Sequence, residues 1–144
     1  MIMNVQQIMT KKIVTVGLDD SLALVKKIFD DLKFHHLLVI ESNKLSGVVS
    51  DRDLLKALSP NLGTISATLN DEATLKKRVH QIMTRKLITL HPDAAVSDAV
   101  SLFNTNKISC IPIVDTDCKP LGIVSWRDIL KAVAASDNLE MAVV

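Results

Sequence analysis

The 144-residue chain is 48% hydrophobic and 23% charged, with 17 basic against 16 acidic residues for a formal charge of +1. Aromatic residues make up 3% and tyrosine is absent, so the composition implies a globular domain with an aliphatic core. The charge balance speaks against a nucleic-acid binder, no apolar run approaches the roughly 18 residues of a membrane span, and two cysteines are too few for a disulfide framework. No basic segment followed by an apolar one opens the chain, so no secretory signal is expected, and a reducing cytoplasm is the expected compartment.

In chain order, Val5-Gln6-Gln7-Ile8-Met9-Thr10 leads into a short strand, Ile13–Val16. Asp19-Asp20-Ser21 then supplies a helix-start signal, after which Leu22, Val25, Ile28, Phe29 and Leu32 fall on one helical face. Leu37-Leu38-Val39-Ile40 reads as a strand, Glu41 to Lys44 as a turn, and Leu45 to Val49 as the partner strand of a hairpin. Ser50 opens a helix carrying Leu54, Leu55, Ala57 and Leu58. A polar connection from Ser59 to Ser66 follows, and Asp71 to Arg78 is expected to add a charged helix.

The pattern then starts again. Val5–Thr15 returns as Val79–Thr89, offset by 74 residues, and Gly47–Ala57 returns as Gly122–Ala132, offset by 75. The extra residue falls in the turn around Asp117-Cys118-Lys119-Pro120, where a surface loop tolerates insertion. Val96, Ala99, Val100 and Phe103 repeat the helical face. Two repeats of strand, helix, strand, strand and helix are therefore expected, over 1–58 and 79–135, with a linker over 59–78 and a tail over 136–144. A unit this small buries too little surface to stand alone, so the copies are expected to pack as a pseudo-twofold α/β (α+β) pair.

The chemistry concentrates at Ser50-Asp51-Arg52-Asp53 and its copy Ser125-Trp126-Arg127-Asp128. With serine as N-cap and aspartate three residues on, the residues make a capping box, which needs no ligand at all. The same helix start presents free N–H groups and a positive dipole end, which attract phosphate. A carboxylate one turn in can accept hydrogen bonds from both hydroxyls of a ribose. Gly47 and Gly122 would let the strand approach a ligand closely. Both readings stay open on the sequence. No nucleophile–base pair, metal cluster or Walker-type loop is present, so neither an enzyme nor a metal site is expected. His35 and His36 point to opposite faces of a strand, and His80 and His91 lack zinc-site spacing.

The doubled "Ile-Met-Thr" opening, the proline-containing strand Cys110-Ile111-Pro112-Ile113-Val114-Asp115 and the doubled Gly-apolar-apolar-Ser-x-x-Asp run resemble the CBS family. The likeness extends to stand-alone bacterial CBS proteins, including the acetoin-utilisation type. The resemblance implies a regulatory sensor of an adenine nucleotide (AMP or ADP, with ATP and S-adenosylmethionine also admitted), with no required cofactor. It implies a homodimer acting on an unidentified protein partner. It places Asp53 and Asp128 on ribose, and Ser50 and Ser125 on phosphate. It pairs Asp128 with Thr10, Thr15 and Val16, and Asp53 with Thr84, Thr89 and Leu90, those segments meeting adenine largely through backbone. The position before the second strand, often basic in the family, holds His35-His36 in one copy and Ser109-Cys110 in the other. Arg52 and Arg127 complete the candidate set. Since Asp51 gives the first helix start one more carboxylate than Trp126 gives the second, a mono- or diphosphate is expected to bind better than a triphosphate. The competing reading is a ligand-free dimerisation or docking module.

Overall fold

The computed structural model describes residues 3–136. Apart from Ser136, the tail assigned to 136–144 lies outside them. The helix start at Asp19-Asp20-Ser21 is realised as α2, Leu22–Asp31, with Ser21 Oγ accepting from Leu24 N at 3.3 Å. Leu22 and Val25 are buried and Ile28 and Phe29 pack on the same core. Leu32 departs from the expected face: it is the extended C-cap residue and is 42% exposed.

Strand β1, Thr15–Gly17, runs parallel to β2, His36–Glu41, which pairs antiparallel with β3, Lys44–Ser50. The β2–β3 hairpin turns on Ser42 and Asn43, both at positive φ (51° and 65°), the backbone that a two-residue turn between right-twisted strands requires. Helix α3, Asp51–Ala57, follows directly. The linker forms α4, Leu69–Ala73, and a 3-10 turn, Thr74–Lys76, so the helix expected over Asp71–Arg78 starts earlier and tightens. Thr68 caps α4, taking the role that places its start two residues before Asp71. Ser59 Oγ donates to Asp71 Oδ1 at 2.6 Å, tying the start of the linker to α4.

In the second repeat α6, Val96–Thr105, buries Ala99 and Phe103. The hairpin of β4, Cys110–Val114, and β5, Pro120–Ser125, leads into α7, Trp126–Ala135. Both hairpins carry a register shift at the matching place, Val39/Ile40 and Ile113/Val114. The inserted residue lies in a longer turn held by Asp115 Oδ1, which accepts from Asp117 N and Lys119 N, with Cys118 at φ 64°. The opening strand expected for this copy is reduced to one parallel bridge, Leu90 to Ile113. None of the described helices is long and apolar enough to cross a membrane.

The chain divides into two compact units, one of Val14–Leu87 and the other joining the segment before Val14 to the chain from Ile88 onward. Each unit thus takes its "Ile-Met-Thr" segment from the other sequence repeat. These segments form one-turn helices, α1, Val5–Ile8, and α5, Val79–Ile82, which the sequence reading did not anticipate. Val79 and Met83 enter the core of Val16, Leu22, Leu37, Val49 and Leu54. Val5 enters that of Phe103, Ile111, Ile113, Val124 and Ile129. Burying such a valine fully contributes about 1.5–3 kcal/mol.

After each one-turn helix a threonine pairs with a hairpin strand. Thr10 N donates to Ile123 O at 2.8 Å and Ile123 N returns to Thr10 O at 3.0 Å; Thr84 and Val48 do the same at 2.9 and 3.1 Å. The approach is close because the facing strand carries glycine. A Cβ on Gly122 would lie 2.8 Å from Thr10 O and 2.7 Å from Met9 Sδ; one on Gly47 would lie 3.1 Å from Thr84 O and 2.6 Å from Met83 Sδ. The room these glycines leave is thus filled by the chain itself. Since a backbone oxygen cannot swing aside as a thioether can, Gly122→Ala is expected to destabilise by about 2–3 kcal/mol and Gly47→Ala by about 1–2. Equilibrium urea unfolding of the two variants checks both the sign and the order.

Candidate functional site

Each hairpin ends on a serine that starts the next helix, and both sites are built there. Ser50 N donates to Asp53 Oδ2 at 2.9 Å while Asp53 N donates to Ser50 Oγ at 3.1 Å. Ser125 N donates to Asp128 Oδ2 at 2.9 Å, and Asp128 N to Ser125 Oγ at 3.4 Å. Both capping boxes read from the sequence are therefore formed. They hold each aspartate in a fixed rotamer over the first turn of its helix, at the edge of the hairpin.

The two carboxylates then differ. Asp53 is half-buried, and its hydrogen bonds among the described residues use Oδ2 only. Asp128 is 8% exposed; Ser125 Oγ also donates to Oδ2 at 3.1 Å, and Thr10 Oγ1 donates to Oδ1 at 2.9 Å. Asp128 further lines a cavity of about 430 Å³ with Met3, Gln7, Ile8, Lys131 and Ala132. Lys131, one helical turn after Asp128, was not singled out from the sequence, although its spacing along an amphipathic helix places it beside that carboxylate.

Of the other candidates, Thr84 is held by backbone against Val48 in the unit that contains Asp53. Thr15 and Val16 lie on β1 in that same unit, with Thr15 exposed and Val16 buried. Thr89 and Leu90 lie in the unit that contains Asp128, where Leu90 pairs with β4. Arg52 and Arg127 are exposed on the first turns of α3 and α7. Trp126, also on that turn, is 42% exposed and rests on Phe103, with ring centroids 4.8 Å apart.

The residues before the second strand also divide. His35 Nδ1 lies 2.9 Å from Asp51 Oδ2, and Asp51 N donates to His35 O, so the extra carboxylate of the first site faces an imidazole. His36, the first residue of β2, is half-buried. In the second repeat Ser109 is exposed and Cys110 is half-buried, with burial pushing the Cys110 thiol up to about 12. That thiol is a small core group and not a nucleophile at neutral pH. Among the described residues no three of His, Cys, Asp and Glu converge as a metal site.

A doubled hairpin-and-helix unit, with a Ser-x-x-Asp cap at each hairpin end, is the architecture of a domain pair. The CBS domain family model matches residues 5–60 and again 79–135, and the chain belongs to that family. Its fold is similar to the CBS domain pair of protein MJ0100 in complex with 5′-methylthioadenosine and S-adenosyl-L-methionine: TM-score 0.76, 29% identity, 92% of this chain and 97% of that one. It is similar to CBSX2 in complex with AMP, at TM-score 0.75 and 26% identity over 91% of this chain and 96% of that one. An acetoin-utilisation protein from Vibrio cholerae shares the fold, at TM-score 0.77, 22% identity and 98% of both chains. The chain spans 37% of the length of an uncharacterized relative from Methanocaldococcus jannaschii, 27% identical over 86% of this chain, and 22% of the L-aspartate semialdehyde sulfurtransferase of that organism, 31% identical over 87% of this chain.

The geometry around His36 sets a pH response. Burial holds its pKa below the ordinary 6.5, helped by His35 and opposed by Asp51 and Asp53. The unfolded chain takes up a proton near 6.5 that the folded chain resists. This contribution to stability is therefore complete above pH 6.5 and is lost as the pH falls below it toward the lower folded pKa. His36→Gln is expected to flatten the decline of the melting temperature between about pH 7 and 5.5, as measured by thermal unfolding across that range.

Proposed function

We propose that the chain is a regulatory module that binds an adenosine ligand of the AMP or ADP type, with Asp53 and Asp128 as ribose acceptors. The observation that carries this reading is the doubled cap: twice, a hairpin end fixes an aspartate so that its carboxylate is oriented before any ligand arrives. The adenosine compounds held by the MJ0100 pair and by CBSX2 support the class of ligand. Ser50 and Ser125, with the first amides of α3 and α7, are the proposed phosphate side, with Arg52 and Arg127, exposed on the same first turns, as the proposed cations. Asp51 adds negative charge at the first site, only partly offset by His35, so AMP and ADP are favoured over ATP. The module would act in the cytoplasm by biasing a protein partner toward one of two conformations.

The expected result is a higher melting temperature with AMP or ADP. A ligand at a hundred times its Kd adds about 2.7 kcal/mol, a shift of several degrees. Asp53→Asn and Asp128→Asn keep a capping oxygen but lose the charge, so each should reduce the ligand-induced shift more than it changes the unliganded melting temperature. Calorimetric titration with AMP, ADP, ATP and S-adenosylmethionine sets the order of affinity. No heat and no shift with any of the four would leave the caps as purely structural, and the module as a docking or dimerisation unit.

Pairing of two chains belongs to the same proposal. Leu55 on α3 and Leu130 on α7 occupy matching positions of the two repeats and are 74% and 63% exposed. An exposed leucine retained at both copies of one helical position fits a contact with a second chain. Leu55→Lys with Leu130→Lys should shift sedimentation from dimer to monomer without unfolding the protein.

A further inference from the structure

Thr10 and Thr84 are repeat equivalents with matching backbone pairing, yet only Thr10 uses its hydroxyl on the aspartate of its own unit. A carboxylate offers about four acceptor positions across its two oxygens. Asp128 has three of them taken, by Ser125 N, Ser125 Oγ and Thr10 Oγ1. Asp53 has one taken, by Ser50 N, and among the described residues no hydrogen bond joins it to Thr84. A vicinal ribose diol donates two hydrogen bonds. Asp53 can accept both as it stands; Asp128 can accept one, and the second requires Thr10 to turn away.

We propose that Thr10 makes the two ribose positions unequal, so that an adenosine ligand fills the Asp53 position first and engages Asp128 with both ribose hydroxyls only after the Thr10 hydroxyl is displaced. This rests on the reading of both aspartates as ribose acceptors. Burial works in the same direction, since Asp128 is 8% exposed and Asp53 is more open. Thr10 is thereby a specificity-determining residue: it tunes how stringently the second position demands a complete diol. With a single acceptor place open there, a ligand lacking one ribose hydroxyl loses little at Asp128 and much at Asp53.

The test is calorimetric titration of the full chain with AMP and with 2′-deoxy-AMP, followed in parallel by fluorescence of Trp126, two residues before Asp128. Two classes of AMP site are expected, the tighter one abolished by Asp53→Asn and the weaker one by Asp128→Asn. Trp126 should respond only as the weaker class fills. Thr10→Val, which keeps the β-branched shape and the backbone pairing, should tighten the weaker class by about tenfold, the worth of one charge-assisted hydrogen bond. Thr10→Ser should behave as the unaltered chain. 2′-Deoxy-AMP should bind the tighter class about tenfold less well while nearly matching AMP at the weaker one. Loss of the tighter class with Asp128→Asn, or two equal classes in the unaltered chain, would overturn the proposal while leaving the functional reading in place. The Asp53→Asn and Asp128→Asn comparison decides this even if Thr10→Val does not fold. No binding of AMP at all defeats both.

Discussion

The close approach of Thr10 to Gly122, and of Thr84 to Gly47, is the contact on which both units depend. A backbone carbonyl sits within 2.8 Å of where a β-carbon at residue 122 would be, so the antiparallel bridge exists only because the strand has no side chain there. The bridge anchors the one-turn helix that precedes it, and that helix delivers Val5 or Val79 into the core. A few backbone hydrogen bonds, a buried valine and a methionine folded over the glycine act together. The same bridge carries the threonine to the edge of the hairpin where the Ser-x-x-Asp cap begins. Core, segment exchange and candidate site therefore share one pair of glycines.

A capping box and a ligand site draw on the same atoms, and this explains why the sequence supported two readings at Ser50 and Ser125. The box satisfies the orphan amides of the helix start and holds the aspartate in one rotamer, which is also what a pre-oriented acceptor requires. What separates the readings is the acceptor capacity left after the cap has formed. At Asp53 one oxygen remains open, while at Asp128 the capacity is nearly exhausted by the chain's own donors. Asp53 thus keeps a carboxylate oxygen that a ligand could reach once the cap has formed. Asp128, with its buried network, comes closer to what stability alone would select.

Much of the fold was legible because its signals are local. Helical periodicity located α2 and α6, the serine caps located α3 and α7, and short apolar runs bounded by turn residues located both hairpins. The linker helix starts earlier than expected because Asp71 and Glu72 belong to its first turn, three and four residues after the Thr68 cap. Helices α1 and α5 escaped because a single turn has no periodicity to read. The opening strand of the second repeat shrank to a bridge although its sequence matches the first. Which oxygen of which aspartate is occupied was not legible at all. That depends on a threonine hydroxyl arriving from 118 residues away, and on a rotamer that nothing in the local pattern specifies.

Duplication gives two sites with one backbone, and their differences then rest on single side chains. Thr10 and Thr84 have the same residue type, the same backbone partners and the same place after a one-turn helix, but different hydroxyl partners. The surroundings tilt that choice. Near Asp53, His35 Nδ1 meets Asp51 Oδ2 at 2.9 Å beside the exposed start of α3. Near Asp128 the corresponding residues are Ser109, Cys110 and Trp126, which supply no permanent charge, and Trp126 is laid over Phe103. A buried carboxylate must find donors within the chain, because leaving it unsatisfied costs more than the entropy of fixing one threonine rotamer. Replacement of Asp51 by Trp126 and of His35-His36 by Ser109-Cys110 therefore provides a physical reason for Thr10 to turn inward where Thr84 does not.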